Sequence, residues 1–438
     1  MKKKIAIIGS GITGLGAAYA LHEHADITVY EAASRAGGHA HTVDVDYQGK
    51  PISVDVGFIV YNGLNYPNLI GFFDALNVAT EASDMSFAVS NPTGFEWAST
   101  LNGLFAQRRN LLRPKFHKFW RTILRFNDLA RAELAAGKIG SVSLGQWLAK
   151  HAFDQTFLDN YILPMGGAIW STPEAEMLDY PAASFFQFFE NHRLMHKERP
   201  KWRTVTGGSR AYVEKVAALL GPRLHLNAPV ASVETTEDGV RVHLATGISE
   251  AFDEVILATH SDVSLGLLEP SGDPRTQMLT KVRYRPNQIY LHRDPKLMPK
   301  RKAAWASWNV LKQSGPEMCL SYWMNRLQNI DQDTPLFVTL NPETPPEADL
   351  TYARFEKSHP QFDAPAQAAV RDLKTQQGHG HIWLAGAWMG SGFHEDGLKS
   401  GLSCALALGG SVPWDTSSVE RLQVEPAQAG VHAALEAL

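Results

Sequence analysis

The residues best placed to do chemistry begin at Gly9. Residues 9–14, GSGITG, follow the spacing G-x-G-x-x-G. At this spacing the first glycine permits a tight turn, the second lets the backbone approach a pyrophosphate, and the third lets a helix lie close to a strand. Glu31 follows Gly9 by 22 residues, where a carboxylate can accept a hydrogen bond from a ribose 2′-hydroxyl. These residue types and spacings predict a dinucleotide site.

The elements that must position these residues surround the glycines. Residues 5–8 form a short apolar run that predicts a buried strand, residues 15–24 predict a helix, and residues 26–30 predict a second strand that ends at Glu31. The N-terminus of the helix would direct unpaired N–H groups and its positive dipole end at the phosphates. The basic residues 1–4 before an apolar run also resemble a signal peptide, but the glycines favour a strand that turns into a helix.

Composition excludes several classes of protein. The 438 residues contain 41 Lys and Arg against 45 Asp and Glu, a net charge of −4, which gives no general reason to expect a nucleic-acid partner. Cys319 and Cys404 are the two cysteines, too few for a disulfide framework or a thiolate metal site, and they fit a reducing, cytoplasmic location. No cluster among the 17 histidines has ligand spacing, so no metal is expected. No apolar run reaches the roughly 18 residues of a membrane-spanning helix.

The residues after Glu31 carry a resemblance to a known family. Arg35, Gly37, Gly38 and His39 complete an E-x-x-x-R-x-G-G-H pattern. This pattern resembles the flavin amine oxidoreductase superfamily, which includes amine oxidases, protoporphyrinogen oxidases, phytoene desaturases and fatty acid isomerases. The segments DVGFIVYN at 55–62 and GFHEDG at 392–397 are most similar to bacterial predicted NAD/FAD-binding proteins linked to fatty acyl modification. A solvated surface arginine is the alternative interpretation of Arg35.

The resemblance implies an α/β chain with a two-domain FAD-binding Rossmann-like fold of the glutathione reductase type and an α+β substrate domain. It implies a discontinuous FAD-binding domain over residues 1–75, 205–265 and 375–412 and a substrate domain over 76–204 and 266–374. The Ala-rich tail over 413–438, which contains two prolines, is expected to be a peripheral or loosely ordered segment. The glycines near the C-terminus predict a turn over 393–401 that leads into an apolar helix over 402–408. FAD is expected to be non-covalent, because this turn contains no cysteine. The cofactor-binding residues implied are Gly9, Gly11, Thr13, Gly14, Glu31, Arg35, Gly37, Gly38, His39, Gly57, Phe58, Val230, Ala258, Gly386, Gly397 and Leu398.

Three departures from amine oxidases bear on the substrate. Residues 286–290 lack the lysine that amine oxidases commonly carry in this strand, Phe393 stands where they often have a tyrosine, and Ala387 replaces an acidic residue found in many members. Aromatic groups at 169–170, 185–189, 305–308 and 322–323 are expected to be mostly core and to leave an apolar cavity. Together these features favour an acyl chain or a terpenoid over an amine.

The expected enzyme is therefore an FAD-dependent oxidoreductase that desaturates or isomerises a lipid-like, fatty acyl substrate by hydride transfer to flavin. His394 and Glu395 are the candidate catalytic residues, since a histidine that titrates near neutrality can act as a base; bracing of the loop is the alternative role. A flavin amine oxidase, an NAD-dependent dehydrogenase and a catalytically silent nucleotide-binding scaffold stay open as other functions.

A basic stretch lies in the expected substrate domain. Residues 108–131 carry eight basic side chains, opposed only by Asp128, and the segment from Phe116 to Phe126 has an apolar stripe. One interpretation is a helix that packs its aromatic face inward and keeps a solvated basic face. The other is a helix that binds an anionic membrane surface and so holds the protein peripherally on the inner face of the membrane. Residues 296–302 form a second basic stretch, expected to be a solvated loop. The oligomeric state is not indicated.

Overall fold

The computed structural model describes residues 2–422 and contains two compact units. The first unit comprises residues 2–36, Ala217–Leu279 and the described residues from Arg371 onward, and the second comprises Gly37–Val216 and Thr280–Val370. These units differ from the expected domains, because residues 37–75 and 205–216 lie in the second unit. The physical reason is strand pairing, since Val60–Asn62 pairs with Trp202–Val205 inside that unit.

A five-stranded parallel sheet forms the centre of the first unit. Its strands, in spatial order, are Leu224–His225, Asp26–Tyr30, Lys4–Ile8, Glu254–Leu257 and Ile382–Leu384. Ile5 to Ile8 are buried, as a continuous apolar run predicts for a central parallel strand. The helix after the first strand is Ile12–Leu21. This helix begins three residues before the predicted start at residue 15. Gly11 has an extended backbone, and the helical conformation begins at the next residue.

The described part of the first unit also contains a small sheet and three further α-helices that lie wholly inside it. The sheet is antiparallel, with strands Val230–Thr236, Gly239–Leu244 and Ser249–Phe252, and the helices are Ser261–Leu268, Thr276–Leu279 and His394–Ala407. The prediction of a turn over 393–401 before a helix over 402–408 is wrong. The helix begins eight residues earlier, because Asp396 accepts a hydrogen bond from the Phe393 N–H at 3.0 Å and so caps it.

The described part of the C-terminal tail packs against the rest of the first unit. Trp414 stacks on Tyr19 with ring centroids 5.8 Å apart, and Glu420 forms an ion pair with Lys374 at 2.7 Å. Residues 413–422 are mostly exposed, as expected of a peripheral segment, and these contacts hold them in place. The remainder of the tail, 423–438, lies outside the described residues.

The second unit is built on a seven-stranded sheet. Its strands, in spatial order, are Thr351–Pro360, Tyr284–His292, Phe337–Leu340, Cys319–Trp323, Trp308–Leu311, Phe87–Ser90 and Glu96–Ala98. Only Trp308–Leu311 and Phe87–Ser90 pair in parallel among these neighbours. A hairpin of Thr42–Tyr47 and Lys50–Asp55 turns at Gly49, and a third sheet joins Val60–Asn62, Trp202–Val205 and Thr80–Ser83.

Helices make up most of the segment between residues 100 and 192. Pro114 begins the longest of them and needs no hydrogen-bond partner there, since it has no N–H. Its stripe Phe116, Phe119, Ile123 and Phe126 is buried, which confirms the predicted apolar face. No helix among residues 2–422 is both long and apolar enough to cross a membrane. The helices of the second unit are Pro67–Ala75, Leu101–Leu104, Pro114–Ala135, Leu144–Lys150, Gln155–Phe157, Leu163–Trp170, Glu174–Met177, Ala182–Asn191 and Met324–Leu327, and Arg210–Leu220 and Ala364–Thr375 contain the unit boundaries.

The aromatic rings at 170 and 185–189 are core, as predicted, whereas Trp305, Trp308, Tyr322 and Trp323 are half-buried. Phe185, Phe186 and Phe189 are fully buried, and the Phe185 and Phe189 rings stack with centroids 4.3 Å apart. Trp170 stacks on Tyr180 at 4.7 Å. These rings fill the space between helices of the second unit and stabilise it through mutual contact.

Candidate functional site

At two positions of the first loop, Gly9 and Gly14, neighbouring backbone atoms leave no room for a side chain. Gly9 has φ +100°, and a Cβ atom there would lie 2.6 Å from the Ala258 carbonyl oxygen. A Cβ atom at Gly14 would lie 1.9 Å from the Gly9 carbonyl oxygen. No side chain fits at either position, so the tight turn and the close approach of helix to strand expected of these glycines are both present. Ala258, expected near the cofactor, lies against this turn.

Gly11 differs from Gly9 and Gly14, because a side chain at Gly11 would enter open space. A Cβ atom at Gly11 would meet no atom within 4 Å. Gly11 directly precedes the helix Ile12–Leu21, whose first N–H groups have no partner inside the helix. Open space beside these donors, at the glycine that should approach a pyrophosphate, fits a bound dinucleotide.

Glu31 holds the glycine loop in shape. The N–H and the hydroxyl of Ser10 donate to Glu31 Oε2 at 2.9 and 2.6 Å, and the Ala33 N–H donates to Oε1 at 2.9 Å. Each carboxylate oxygen can accept about two hydrogen bonds, so Oε1 keeps the capacity to accept one from a ribose hydroxyl. Arg35 is half-buried rather than fully solvated, and this burial lowers the pKa of its guanidinium.

The C-terminal helix lies directly on the helix that follows the glycine loop. A Cβ atom at Gly401 would lie 2.2 Å from the Thr13 carbonyl oxygen, and one at Gly397 would lie 2.9 Å from Thr13 Oγ1. Leu398 fills the space beside Gly16, where a Cβ atom would lie 2.3 Å from Leu398 Cδ1. Thr13, Gly397 and Leu398 are thus brought together, and their described contacts are helix packing.

The other expected residues of the first unit lie at strand ends. The Gly386 N–H follows the strand Ile382–Leu384 and donates to Ser400 Oγ at 2.9 Å, which ties this strand end to the C-terminal helix. Val230 begins the strand Val230–Thr236 and pairs with Leu244.

The second unit brings its own expected residues together. A Cβ atom at Gly57 would lie 2.0 Å from the His39 carbonyl oxygen, and the Phe58 N–H donates to that oxygen at 2.9 Å. Gly37 and Gly38 have φ of +108° and +56°, so the chain reaches His39 through left-handed conformations that favour glycine. The G-G-H segment and the D-x-G segment are therefore one structural piece.

The carboxylate of Asp55 anchors this piece through hydrogen bonds. This role was not identified from the sequence. Asp55 is fully buried and accepts hydrogen bonds from the Ser209 N–H, the Ser209 hydroxyl and the Thr42 hydroxyl at 2.6 to 3.0 Å. Gln328 Nε2 donates to its other oxygen at 3.0 Å. Burial raises the pKa of Asp55 to about 6, against the opposing effect of these donors. The nearest signal in the sequence is the conjunction of D-x-G at 55–57 with G-G-S at 207–209.

A polar cluster beside His39 was also missed. The Ser171 hydroxyl lies 2.9 Å from His359 Nδ1, the His359 ring lies 5.8 Å from the His39 ring between centroids, and Asn287 Nδ2 lies 3.3 Å from His359 Nδ1. Asn287 is fully buried, and its Oδ1 accepts from Asn341 Nδ2 at 2.7 Å. Ser171 has φ +52°, an uncommon conformation for a non-glycine residue. These residues come from separate segments, so no local motif marks them.

His394 and Glu395 lie in the first turn of the C-terminal helix. Burial lowers the pKa of His394 to about 3, because removal from water disfavours the charged imidazole. The expectation that this ring titrates near neutrality is therefore wrong. At pH 7 the ring is neutral, with one nitrogen that donates a hydrogen bond and one that accepts. Glu395 is buried in the same turn.

Comparison with known families gives a match over most of the chain. The model of the flavin-containing amine oxidoreductases matches residues 12–408. No curated protein matches the sequence significantly.

Solved structures show the same fold at low sequence identity. Wild-type putrescine oxidase bound to putrescine is 17% identical with a TM-score of 0.67, covering 93% of this chain and 98% of its own. Cyclohexylamine oxidase from Brevibacterium oxydans is 17% identical with a TM-score of 0.68, covering 93% and 99%. A fatty acid isomerase from P. acnes that produces CLA is 14% identical with a TM-score of 0.63, covering 91% and 97%.

Proposed function

Because this chain belongs to the flavin-containing amine oxidoreductase family and is thus a flavin-dependent oxidoreductase, we propose that it oxidises a lipid-like, fatty acyl substrate with non-covalent FAD. The substrate gives up a hydride from a C–H bond, and a C=C bond is formed or moved. FAD, when bound, supplies the hydride acceptor. The chain's own residues bind the cofactor, orient the substrate and handle a proton.

The glycine loop supports the cofactor part of the proposal. Gly11 leaves open space beside the N-terminus of the helix Ile12–Leu21, while Glu31 keeps a free acceptor position near the same loop. Cys319 and Cys404 are both buried, and burial raises the pKa of each thiol to about 12. Protonated, buried thiols are poor nucleophiles, so neither suits attachment to a flavin.

Asn287 is the observation that carries the substrate part. It lies in the strand Tyr284–His292, in the run where amine oxidases commonly have a lysine. Its side chain is fully buried, and its Oδ1 accepts a hydrogen bond from Asn341. A buried neutral amide held in this way stands in the run where amine oxidases commonly carry a lysine, and this departure supports a reaction other than amine oxidation.

An anaerobic substrate panel tests the proposal. The purified protein is mixed without oxygen with unsaturated fatty acids in one set of samples and with putrescine or cyclohexylamine in another, and the visible absorption of flavin is followed. We expect a fatty acid to bleach the flavin, or to be isomerised without net bleaching, which product analysis distinguishes. Bleaching by amines alone, with hydrogen peroxide formed in air, would identify an amine oxidase instead. Protein that binds NAD but no FAD would contradict the proposal entirely.

We propose His394 and Glu395 as the groups that handle the proton, with the neutral His394 ring keeping one nitrogen that can accept it, as a weaker base than a solvent-exposed histidine. If so, His394→Ala and Glu395→Gln each lower turnover by about a hundredfold or more, as expected for loss of a positioned proton-transfer group. Flavin content and melting temperature are measured beside turnover, because a bracing role changes those quantities instead. Full turnover in both variants would remove the catalytic assignment.

A further inference from the structure

Large apolar side chains are exposed around the start of the basic helix. Leu101 and Leu112 are 87% and 88% exposed, and Leu111 and Leu124 are each more than half exposed. These are four of the nine large apolar residues that the described chain leaves exposed, and they fall within 24 consecutive positions. Isolated exposed leucines are common, but a local concentration of them marks a surface that meets something apolar.

The structure brings this segment together with the second basic stretch. The helix Leu101–Leu104 lies against residues 302–304, since a Cβ atom at Gly103 would lie 3.2 Å from the Ala303 carbonyl oxygen. His117 Nε2 lies 2.8 Å from the Leu111 carbonyl oxygen, which joins the residues 108–112 to the first turn of the long helix. Residues 101–125 and 300–302 thus form one continuous area, here called the basic-leucine surface.

In the described part of the chain, four cations at the start of this surface have no carboxylate to neutralise them. Arg108, Arg109, Arg113 and Lys115 are exposed, and within residues 2–422 none of the four forms an ion pair. No acidic residue occurs between positions 99 and 127. The neighbouring carboxylates are already paired, Asp154 with Lys118 and Glu96 with Arg301. Lys300 and Lys302 add two more exposed cations.

We propose that the basic-leucine surface docks on an anionic lipid bilayer. The leucines would enter the boundary between headgroups and acyl chains, while the arginines and lysines would lie at the level of the anionic headgroups. Surfaces that bind single-stranded nucleic acid pair cations with exposed aromatic rings on which bases stack. Here the exposed large apolar groups are leucines, while Phe116, Phe119 and Phe126 of the helix are buried and Trp120 is half-buried, so a bilayer is the better match.

The sequence predicted a membrane-binding helix within residues 108–131, and the structure narrows the lipid-facing part to the N-terminal side of that segment. Arg125 donates to the His151 carbonyl oxygen, and Arg131 lies 3.7 Å from Glu190, so the later part of the helix is engaged with protein. The lipid-facing part is therefore the N-terminal end of the helix together with the preceding turns.

Vesicle binding by the full-length protein tests the proposal. Binding is compared between phosphatidylcholine vesicles and vesicles that contain equal amounts of phosphatidylcholine and phosphatidylglycerol. One variant carries Leu101→Ser and Leu112→Ser, and another carries Arg108→Gln, Arg109→Gln and Arg113→Gln. A control carries Arg241→Gln and Ile248→Ser, an exposed cation and an exposed apolar residue of the first unit.

We expect the wild type and the control to bind the anionic vesicles and to bind phosphatidylcholine weakly. The arginine variant should lose about a hundredfold in affinity, and the leucine variant about tenfold. Failure of the wild type to bind would overturn the proposal. So would full binding by the leucine variant when the arginine variant loses binding, because attraction to charge alone, without entry of the leucines, is what any polyanion would give.

A dye measurement reports insertion independently of affinity. Because Cys319 and Cys404 are buried, Leu112→Cys can be labelled selectively with an environment-sensitive fluorophore, and Ile248→Cys serves as the matched control. Anionic vesicles should shift the emission to shorter wavelength at position 112 and leave it unchanged at 248. An unchanged emission at 112 on vesicles that bind the protein would contradict insertion of the leucines.

Discussion

In the first unit, segments far apart in the chain meet through backbone atoms, with glycines where a side chain would collide. In the second unit, distant segments meet around the carboxylate of Asp55 and its donors. The two arrangements therefore differ in what damages them. Added volume should damage the glycine contacts, whereas a change of charge or of hydrogen-bonding capacity should damage the Asp55 network.

The largest effect is expected from added volume in the first unit. Gly14→Ala would place a Cβ atom 1.9 Å from the Gly9 carbonyl oxygen, so the backbone must move. We expect a loss of about 4 kcal/mol in the free energy of unfolding, or no folded protein.

Gly266→Ala is the matched control, for which we expect a change in unfolding free energy of the opposite sign. Gly266 lies in the helix Ser261–Leu268 of the same unit, and a Cβ atom there would meet nothing within 4 Å. Gly266→Ala should stabilise the protein by up to about 1 kcal/mol, as alanine does in a helix. Urea unfolding measures both variants, and similar effects of the two would refute the role of close contact.

A smaller loss is expected when Asp55 is changed to asparagine. The amide nitrogen would face groups that donate, so Asp55→Asn should destabilise by about 3 kcal/mol at pH 7. The same variant should remove a pH dependence. The unfolded chain loses this proton near pH 4 and the folded chain near pH 6, so the folded state holds more protons between these values. The contribution of Asp55 to stability thus decreases as the pH rises from about 4 to about 6, by roughly 3 kcal/mol.

Urea titrations at several pH values measure this contribution as the difference between wild type and Asp55→Asn. A difference that stays constant from pH 4 to 7 would show that the carboxyl group does not titrate in this range.

The smallest effects separate the centre of the network from its edge. Ser209→Ala removes a buried hydroxyl that donates to Asp55 and should cost about 1 kcal/mol or slightly more. Asp44→Asn breaks the ion pair with Arg210, in which both side chains are exposed, and should cost at most about 1 kcal/mol. Added salt should reduce the second effect and leave the first unchanged. Equal salt sensitivity would show that the two sites do not differ in this way.

The contrast also explains which features the sequence could predict. The first strand, the glycine loop and the acid at Glu31 are local, because turn geometry and apolar runs depend on residues close in the chain. The fold class followed from the same segment and from the resemblance it carries, and the family match confirms it.

The rest depends on contacts between residues far apart in sequence. Asp55 and Gln328 are 273 positions apart, and Ser171 and His359 are 188 positions apart, and no local pattern pairs them. The pKa of His394 was mispredicted for a related reason, because burial is set by the surrounding fold. The helix start at His394 was missed because glycines at 397 and 401 suggested a turn, whereas they serve helix packing against Thr13.

The central claim, that the space beside Gly11 receives the cofactor, is tested most directly by FAD titration of Gly11→Ala. The added methyl group meets no protein atom, so the unfolding free energy of the flavin-free protein should stay within about 1 kcal/mol of wild type. If a pyrophosphate lies against this backbone, the methyl group collides with it, and FAD affinity should fall at least about tenfold. Unchanged FAD affinity in a normally stable Gly11→Ala protein would contradict the claim.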